Sequence, residues 1–379
     1  MLIGKVLDAT TGLPLNSVSV YINNSSKGTS TNANGEFILE NIAITDFDIV
    51  ATCVGYQTFS KTINATIILN TLEIKLFPKP VMLEAVVLQS YEKDGWKKWG
   101  KVFLESIVGN IEASKYCEIK NKETIKFIFN KKLNELTAIT DEPLIIENKY
   151  LGYQLRYDLI NFTTNFHTRI IAYEGYPFFT PLNASAKKMK KWKKNREYVY
   201  EGSIMHFMRS LYRNKLDENG FEIRVLYRFL NLEKQRVKNL YKNNMDKYKT
   251  TFSVGFENDS STYYQKVLKQ SDSSDYVYPN KIKADSIAYI VDSTTAGIFF
   301  NNHLQVKHTT LKSVEYFEGF QSGTKNIYPT SIISLVRKND LVVFSNGSYY
   351  DPSGLMTEGY WGMYEKLSTL LPSDYTVGD

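Results

Sequence analysis

Histidine and cysteine are scarce in this chain, four and two residues in 379, and the scarcity limits its chemistry. Cys53 and Cys117 cannot supply the close ligand pairs of a zinc site. They also fall in different units of the reading below, so two free thiols are expected rather than a disulfide. None of His167, His206, His303 or His308 opens a His-x-x-Glu pair, which a catalytic zinc centre of that type needs together with a distant third ligand. His303 and His308, five apart on a strand or loop, face opposite ways and are not expected to share an ion. A Gly-x-Ser-x-Gly elbow and a glycine-rich phosphate loop are both missing: Glu201-Gly202-Ser203 lacks the flanking glycine, and Gly319 to Gly323 carries its serine one position late. Acid pairs such as Asp141 and Glu142 read as solvated loop residues, because 40 carboxylates produce such pairs by chance. No catalytic residue, cofactor or metal is assigned.

Long apolar runs are absent too. Nothing approaches the roughly 18 to 20 uninterrupted residues of a membrane-spanning helix, and Met1-Leu2-Ile3-Gly4-Lys5-Val6 is not a signal core. A strand is expected from residue 2, so the reading is that a leader was removed ahead of this numbering. Charge is mild: 46 basic against 40 acidic residues leave +6, which argues against a dedicated nucleic-acid binder.

What the chain has in quantity is aromatic and β-branched residues, with 27 Tyr and 21 Phe, a composition that favours pleated, half-buried surfaces. Residues 1–77 read as short strands at Leu2 to Asp8, Val18 to Ile22, Gly35 to Leu39, Phe47 to Val54, Phe59 to Ile63 and Thr71 to Leu76, separated by turn residues, as in a small β-sandwich. Val18 and Val20 alternate with Ser17, Ser19 and Tyr21, which predicts one inward face. Asn32-Ala33-Asn34-Gly35 predicts a tight turn, not a calcium loop.

These residues carry a resemblance. Gly4-Lys5-Val6, Gly12-Leu13-Pro14-Leu15, Val18-Ser19-Val20-Tyr21, Gly28-Thr29-Ser30-Thr31, Asn34-Gly35-Glu36-Phe37 and Val54-Gly55-Tyr56 follow one another as in the carboxypeptidase-like regulatory domain, a transthyretin-like sandwich. The resemblance implies an accessory module without catalytic residues, found in Bacteroidota envelope proteins and ahead of outer-membrane transporter barrels. Residues 78–90 follow as a linker, with two prolines in Phe77-Pro78-Lys79-Pro80 and a short strand at Leu83 to Leu88. The remainder lacks the regular ten-residue strands of a transporter barrel.

Beyond the linker the chain divides in this reading into an α+β region at 91–280 and a β-rich region at 281–379. Trp96, Trp99, Phe103 and Ile107 sit at helical spacing with their stripe in a core. Strands are expected at Ile125 to Phe129, Glu135 to Thr140, Leu144 to Glu147, Tyr153 to Asn161 and Arg169 to Tyr173. Residues 184–214 predict two helices broken at Gly202-Ser203, with Ser203 as the cap of the second. Phe221 to Phe229 reads as strand or helix, a polar stretch runs to about 275, and the end is strand-rich (Ser286 to Val291, Gly297 to Phe300, Ile332 to Val336, Leu341 to Ser345) with a hairpin turn at Asn346-Gly347. Trp96 to Gly100, Asp141 to Asn148, Leu151-Gly152-Tyr153, Tyr173 to Phe179, Tyr200 to Ser203, His206-Phe207 and Tyr349 to Pro352 together resemble an uncharacterised family of Bacteroidota envelope proteins carrying this sandwich. Asp285-Ser286-Ile287 and Asp292-Ser293-Thr294 resemble short O-glycosylation acceptors of such proteins.

The most unusual local feature is a basic helix. Lys187, Lys188, Lys190, Lys191, Lys193, Lys194 and Arg196 stand within ten residues without an acid. Those seven cations exceed the chain's net +6, so the remainder is close to neutral. Met189, Trp192 and Val199 are expected to pin one side, leaving the cations for phosphate-bearing headgroups, lipopolysaccharide or an acidic protein face. The fold class expected is α+β and β-rich: a transthyretin-like sandwich followed by a larger mixed region of antiparallel sheet and helices. The function expected is a non-enzymatic periplasmic or outer-membrane-associated accessory or scaffold protein. Its partner would be an outer-membrane complex, of the barrel-assembly or transport kind, or an anionic envelope surface, with nucleic acid disfavoured. The alternatives are a cell-wall or glycan-active enzyme with a tyrosine- and carboxylate-lined cleft, and a carbohydrate-binding protein with exposed aromatic platforms.

Overall fold

The computed structural model describes residues 1–42, 46–63, 71–79, 91–248, 259–311, 328–337 and 339–378. The first seven strands are β1 (Leu2–Asp8), β2 (Ser19–Ile22), β3 (Gly28–Ser30), β4 (Glu36–Leu39), β5 (Phe47–Thr52), β6 (Phe59–Ile63) and β7 (Leu72–Leu76). They form two facing sheets, ordered β4-β1-β7 and β3-β2-β5-β6. Val6, Val18, Val20, Phe37, Ile49 and Ile74 fill the space between them. The Asn32 side chain accepts from the N–H groups of Asn34 and Glu36 and closes the expected turn. Residues 77–79 are not a free spacer: Gln57 N–H donates to Phe77 O and Lys79 N–H to Gly55 O. The strand expected at 83–88 lies outside the described residues.

One expectation about this unit needs correction. Tyr21, placed outward by alternation, is fully buried, as are Val18 and Val20. Alternation assigns two faces without saying what covers the second, and here the rest of the chain covers it.

After the sandwich come α1 (Gly95–Ile107), β8 (Cys117–Ile119), β9 (Ile125–Asn130), β10 (Glu135–Thr140), β11 (Leu144–Asn148), β12 (Tyr153–Asn165) and β13 (Ile170–Pro181). All these strand pairs are antiparallel; β10 and β11 share one edge of β12 and β13 follows the whole of the other. Tyr153, Leu155, Tyr157 and Leu159 point into the core. There Phe103 of α1 packs edge-on to Phe127 and at 4.8 Å from Phe162. The opposite face of β12 meets the sandwich: Arg156 Nη2 donates to Thr52 Oγ1 at 2.6 Å and Thr58 bonds to Asp158. Alongside, Phe178 stacks 5.1 Å from Tyr21, and Asn24 N–H donates to Pro177 O.

The elements α2 (Ala186–Tyr200) and α3 (Ile204–Tyr212) follow, split where expected, and Ser203 Oγ accepts from His206 N–H as the cap of α3. Next is β14 (Phe221–Leu230), which settles that segment as strand; a bulge after Arg224 breaks its alternation. The polar stretch holds α4 (Leu232–Tyr248) and α5 (Asp259–Lys269), then β15 (Ser273–Ile282), β16 (Ala288–Ile290), β17 (Thr295–Ile298), β18 (His303–His308), β19 (Thr330–Leu335), β20 (Leu341–Phe344), β21 (Tyr349–Tyr350), β22 (Leu355–Gly359) and α6 (Tyr360–Tyr364). A five-stranded sheet, β15-β14-β18-β19-β22, takes strands from both sides of residue 280, and a four-stranded sheet, β16-β17-β20-β21, contains the hairpin at Asn346-Gly347. Phe207, Phe221, Leu304, Val343 and Trp361 form their shared core. The chain then returns to the middle unit, where Leu367, Leu371 and Tyr375 join the core of α1 and β12. Buried Asn148 ties this segment in by donating to Ser368 O. The protein is α+β and strand-rich, as the sequence implied.

Candidate functional site

Two places concentrate charge or titratable groups. The first is α2, the helix singled out by its lysines. Trp192 is buried and its indole N–H donates to Lys149 O at 2.8 Å. The indole lies flat on Gly152, where a Cβ would fall 2.3 Å from the ring and where φ is +79°; only glycine suits both demands. Arg196 is correctly placed on the helix but is not a free cation: it donates to Leu151 O at 3.1 Å and lies over the Tyr153 ring. Met189 does not pin the helix either, being 52% exposed among the lysines. Trp192, Val199 and Tyr200 alone bury that side.

The six lysines Lys187, Lys188, Lys190, Lys191, Lys193 and Lys194 are all exposed. Lys188 leans over the Trp192 ring and Lys193 donates to Gly378 O. Among the described residues none of the six has an ion pair. The first turn holds lysines and no acid, the unfavourable sign for the positive end of a helix dipole. Six like-charged i,i+3 and i,i+4 pairs, at about 0.2–0.5 kcal/mol each, cost the helix about 1–3 kcal/mol. The body bears that cost through the Trp192 anchor.

The second place is the corner between α2 and α3, which the sequence did not reveal as a cluster. Glu201 ends α2, Gly202 turns the chain in the left-handed region at φ +74°, and α3 begins at Ile204. His206, on the first turn of α3, and His308, at the end of β18, both face Glu201. His308 Nε2 lies 3.1 Å from Glu201 Oε1 and His206 Nδ1 lies 4.0 Å from Glu201 Oε2. Tyr200 and Phe221 flank the His206 ring at 4.8 and 5.0 Å. The capped Glu201-Gly202-Ser203 turn was visible in sequence; its meeting with a histidine on a strand about a hundred residues later was not.

The ligand atoms of these three residues lie within 4.8 Å of one another, the one such group among the described residues. A cation would need their lone pairs, and two of them are occupied. Gly202 N–H donates to His206 Nδ1 at 3.2 Å, and Leu311 N–H donates to His308 Nδ1 at 3.1 Å. Each neutral ring therefore carries its proton on Nε2, and that of His308 lies beside Glu201 without an aligned hydrogen bond among the described residues. Metal-bound histidines have the reverse arrangement, donating from the second nitrogen. The corner is built to hold protons. Burial pushes His206 down to about 4, against the attraction of Glu201; His308 beside Glu201 holds that carboxyl below its usual range, against its own partial burial.

Glu365 approaches the same helix end from after α6. Its Oε1 accepts from Ile204 N–H at 2.9 Å, yet burial lifts the carboxyl to about 7. Arg209 on α3 is buried, has no acidic partner among the described residues, and donates to Asn346 O and Ser373 O. Among the described residues, the void at Gly202, Phe221, His308 and Trp361 has no room for a water molecule. A shallow groove of about 470 Å³ lies on the sandwich, along Gln57, Phe59, Glu73 and Phe77. Cys53 and Cys117 are both free thiols.

No curated protein is similar to the chain at a meaningful level. Among solved structures, a "putative carbohydrate binding protein" from Bacteroides uniformis aligns with 48% of this chain and 78% of its own, at 12% identity and a TM-score of 0.15. A "putative membrane-associated protein of unknown function" from Bacteroides fragilis aligns over 95% of this chain and 94% of its own, at 9% identity and a TM-score of 0.16. Scores this low carry no statement about fold or function. The sandwich is different, since its strands, turn and core are matched by a family: residues 2–88 fit the family model of the CarboxypepD_reg-like domain, and the N-terminal unit is a domain of that kind.

Proposed function

We propose that this chain is a non-enzymatic accessory protein of the bacterial envelope, acting in the periplasm or at the outer membrane, where the lysine face of α2 engages an anionic partner. The observation that carries the reading is the combination already described: six exposed lysines without ion pairs among the described residues, on a helix fixed to the body through Trp192 and Gly152. Such a face is costly when bare and is relieved by phosphate or carboxylate groups. A phosphate-rich headgroup surface and the acidic rim of an outer-membrane complex offer the same chemistry. The CarboxypepD_reg-like domain, docked on β12 and β13, supports an accessory role.

Co-sedimentation with vesicles of phosphatidylglycerol, compared with phosphatidylcholine, tests the face. Binding to the first alone, weakened by salt and abolished in the Lys187→Gln, Lys190→Gln, Lys191→Gln, Lys194→Gln variant, is expected. A pulldown from envelope fractions tests the complex. Recovery of the protein alone at low salt, together with no vesicle binding, would sink the proposal.

A second reading, carbohydrate binding, rests on one feature. Beyond Leu226, which pairs with His303, β14 is flanked among the described residues by β15 only. On this projecting ribbon Tyr227 stands opposite Tyr276, and Phe229 shares their face by alternation. The three side chains are 40–58% exposed. Titration with envelope glycans against the Tyr276→Ala variant discriminates this reading from the first.

A further inference from the structure

We propose that the α2–α3 corner is a proton-released fastening: neutral His206 holds Gly202 and, with Glu201 and His308, ties the end of α2 to β18, and one proton on His206 Nδ1 undoes the tie. The inference stands whatever the lysines of α2 bind.

The mechanism follows from lone pairs. In the fastened state Nδ1 accepts from Gly202 N–H, while Trp361 Nε1 donates to Gly202 O at 2.8 Å, so the two peptide groups flanking the Gly202 Cα are each held by a side chain. A proton taken from solvent by Nδ1 turns the acceptor into a second donor facing Gly202 N–H. The imidazolium must then rotate toward Glu201 Oε2, 4.0 Å away, and Gly202 loses its partner. That carboxylate is already shared with His308 Nε2, so the released ring competes with β18 for the same acceptor.

The charged surroundings of His206 come from three elements. Glu201 at the end of α2 favours the proton; His308 on β18, and Arg209 and Arg213 on and just after α3, oppose it, as does burial. Phe221 of β14 supplies an apolar wall. The fastening therefore holds at neutral pH and yields on acidification. An open corner returns His206 to an ordinary value near 6.5, against about 4 when closed. Between those values each unit of falling pH favours opening by up to tenfold.

Two measurements on the full chain test this. Nitrogen-15 histidine spectra at pH 7 should assign His206 and His308 to the Nε2–H form; an Nδ1–H form for His206 would overturn the proposal without any variant. Amide exchange should then show the protection factor of Gly202 falling by about two orders of magnitude between pH 6.5 and 4. His206→Asn places a non-titrating acceptor near the same spot and should hold that protection nearly constant. His206→Ala should lack it throughout. A Gly202 protection factor that is flat in the wild type, or that falls equally in His206→Asn, would refute the fastening.

Discussion

Two buried groups at one helix end should make the pH dependence of this protein's stability deceptively flat. His206 sits near 4 when folded and 6.5 when unfolded, so between those values the unfolded chain holds the extra proton and stability falls as pH falls. Glu365 sits near 7 folded against 4.5 unfolded, so the folded chain holds the extra proton and stability falls as pH rises. Their windows overlap from 4.5 to 6.5, where the slopes are opposite and cancel. Each shift spans roughly 2.5 pH units, worth about 3 kcal/mol. Urea unfolding followed from pH 4 to 8 reads the two contributions as differences from wild type. Glu365→Gln should be near neutral at pH 4 and stabilising by about 3 kcal/mol at pH 8. His206→Asn should show the mirror image, near neutral at pH 8 and stabilising by a similar amount at pH 4, and the double variant should show both. Difference profiles that stay level across the range would mean that neither group is perturbed by its burial, and the account of the corner would fail with them.

Other substitutions probe the packing. Gly152→Ala puts a methyl into the Trp192 ring and strains a positive φ; a loss of more than about 2 kcal/mol and a red shift of tryptophan emission are expected. Lys190→Gln with Lys191→Gln removes all six like-charge pairs on α2 and should raise stability by about 1–3 kcal/mol while weakening binding to anionic vesicles, read by urea midpoint and co-sedimentation. Phe178→Ala removes the ring that covers Tyr21 without touching either core, and calorimetry should resolve two transitions where the wild type shows one. Burial pushes the Cys117 thiol up to about 12 and raises Cys53, so the native protein should react with a disulfide reagent at pH 8 far more slowly than the unfolded one.

Local pattern carried much of the architecture into the sequence. The strands of the sandwich and the amphipathic face of α1 were readable because period and turn residues agreed with the tertiary environment. What failed needed information from elsewhere in the chain. Tyr21 looked outward because nothing near it announces Phe178. The segment from Phe221 was ambiguous because the bulge after Arg224 breaks its alternation. The helices α4 and α5 were hidden by a polar composition that outweighs short apolar sets at helical spacing, Val237, Leu240 and Tyr241 in one and Tyr263, Tyr264 and Val267 in the other. At the candidate sites the lysines were plain, but Arg196 passed as a free cation because its carbonyl partner lies 45 residues earlier, and the Glu201–His206–His308 cluster had no local spacing to betray it.

The return of Leu367, Leu371 and Tyr375 to the core begun by α1 sets an order of events during synthesis. The middle unit is missing part of its interior until the ribosome, or a translocation channel, has delivered residues some 260 positions downstream of Ile107. The sandwich contains its own core and can close first, whereas the body must wait, with apolar surface open, for the stretch from Leu367 to Tyr375 to arrive. A protein built this way acquires its lysine-bearing frame only after residue 375 has been added.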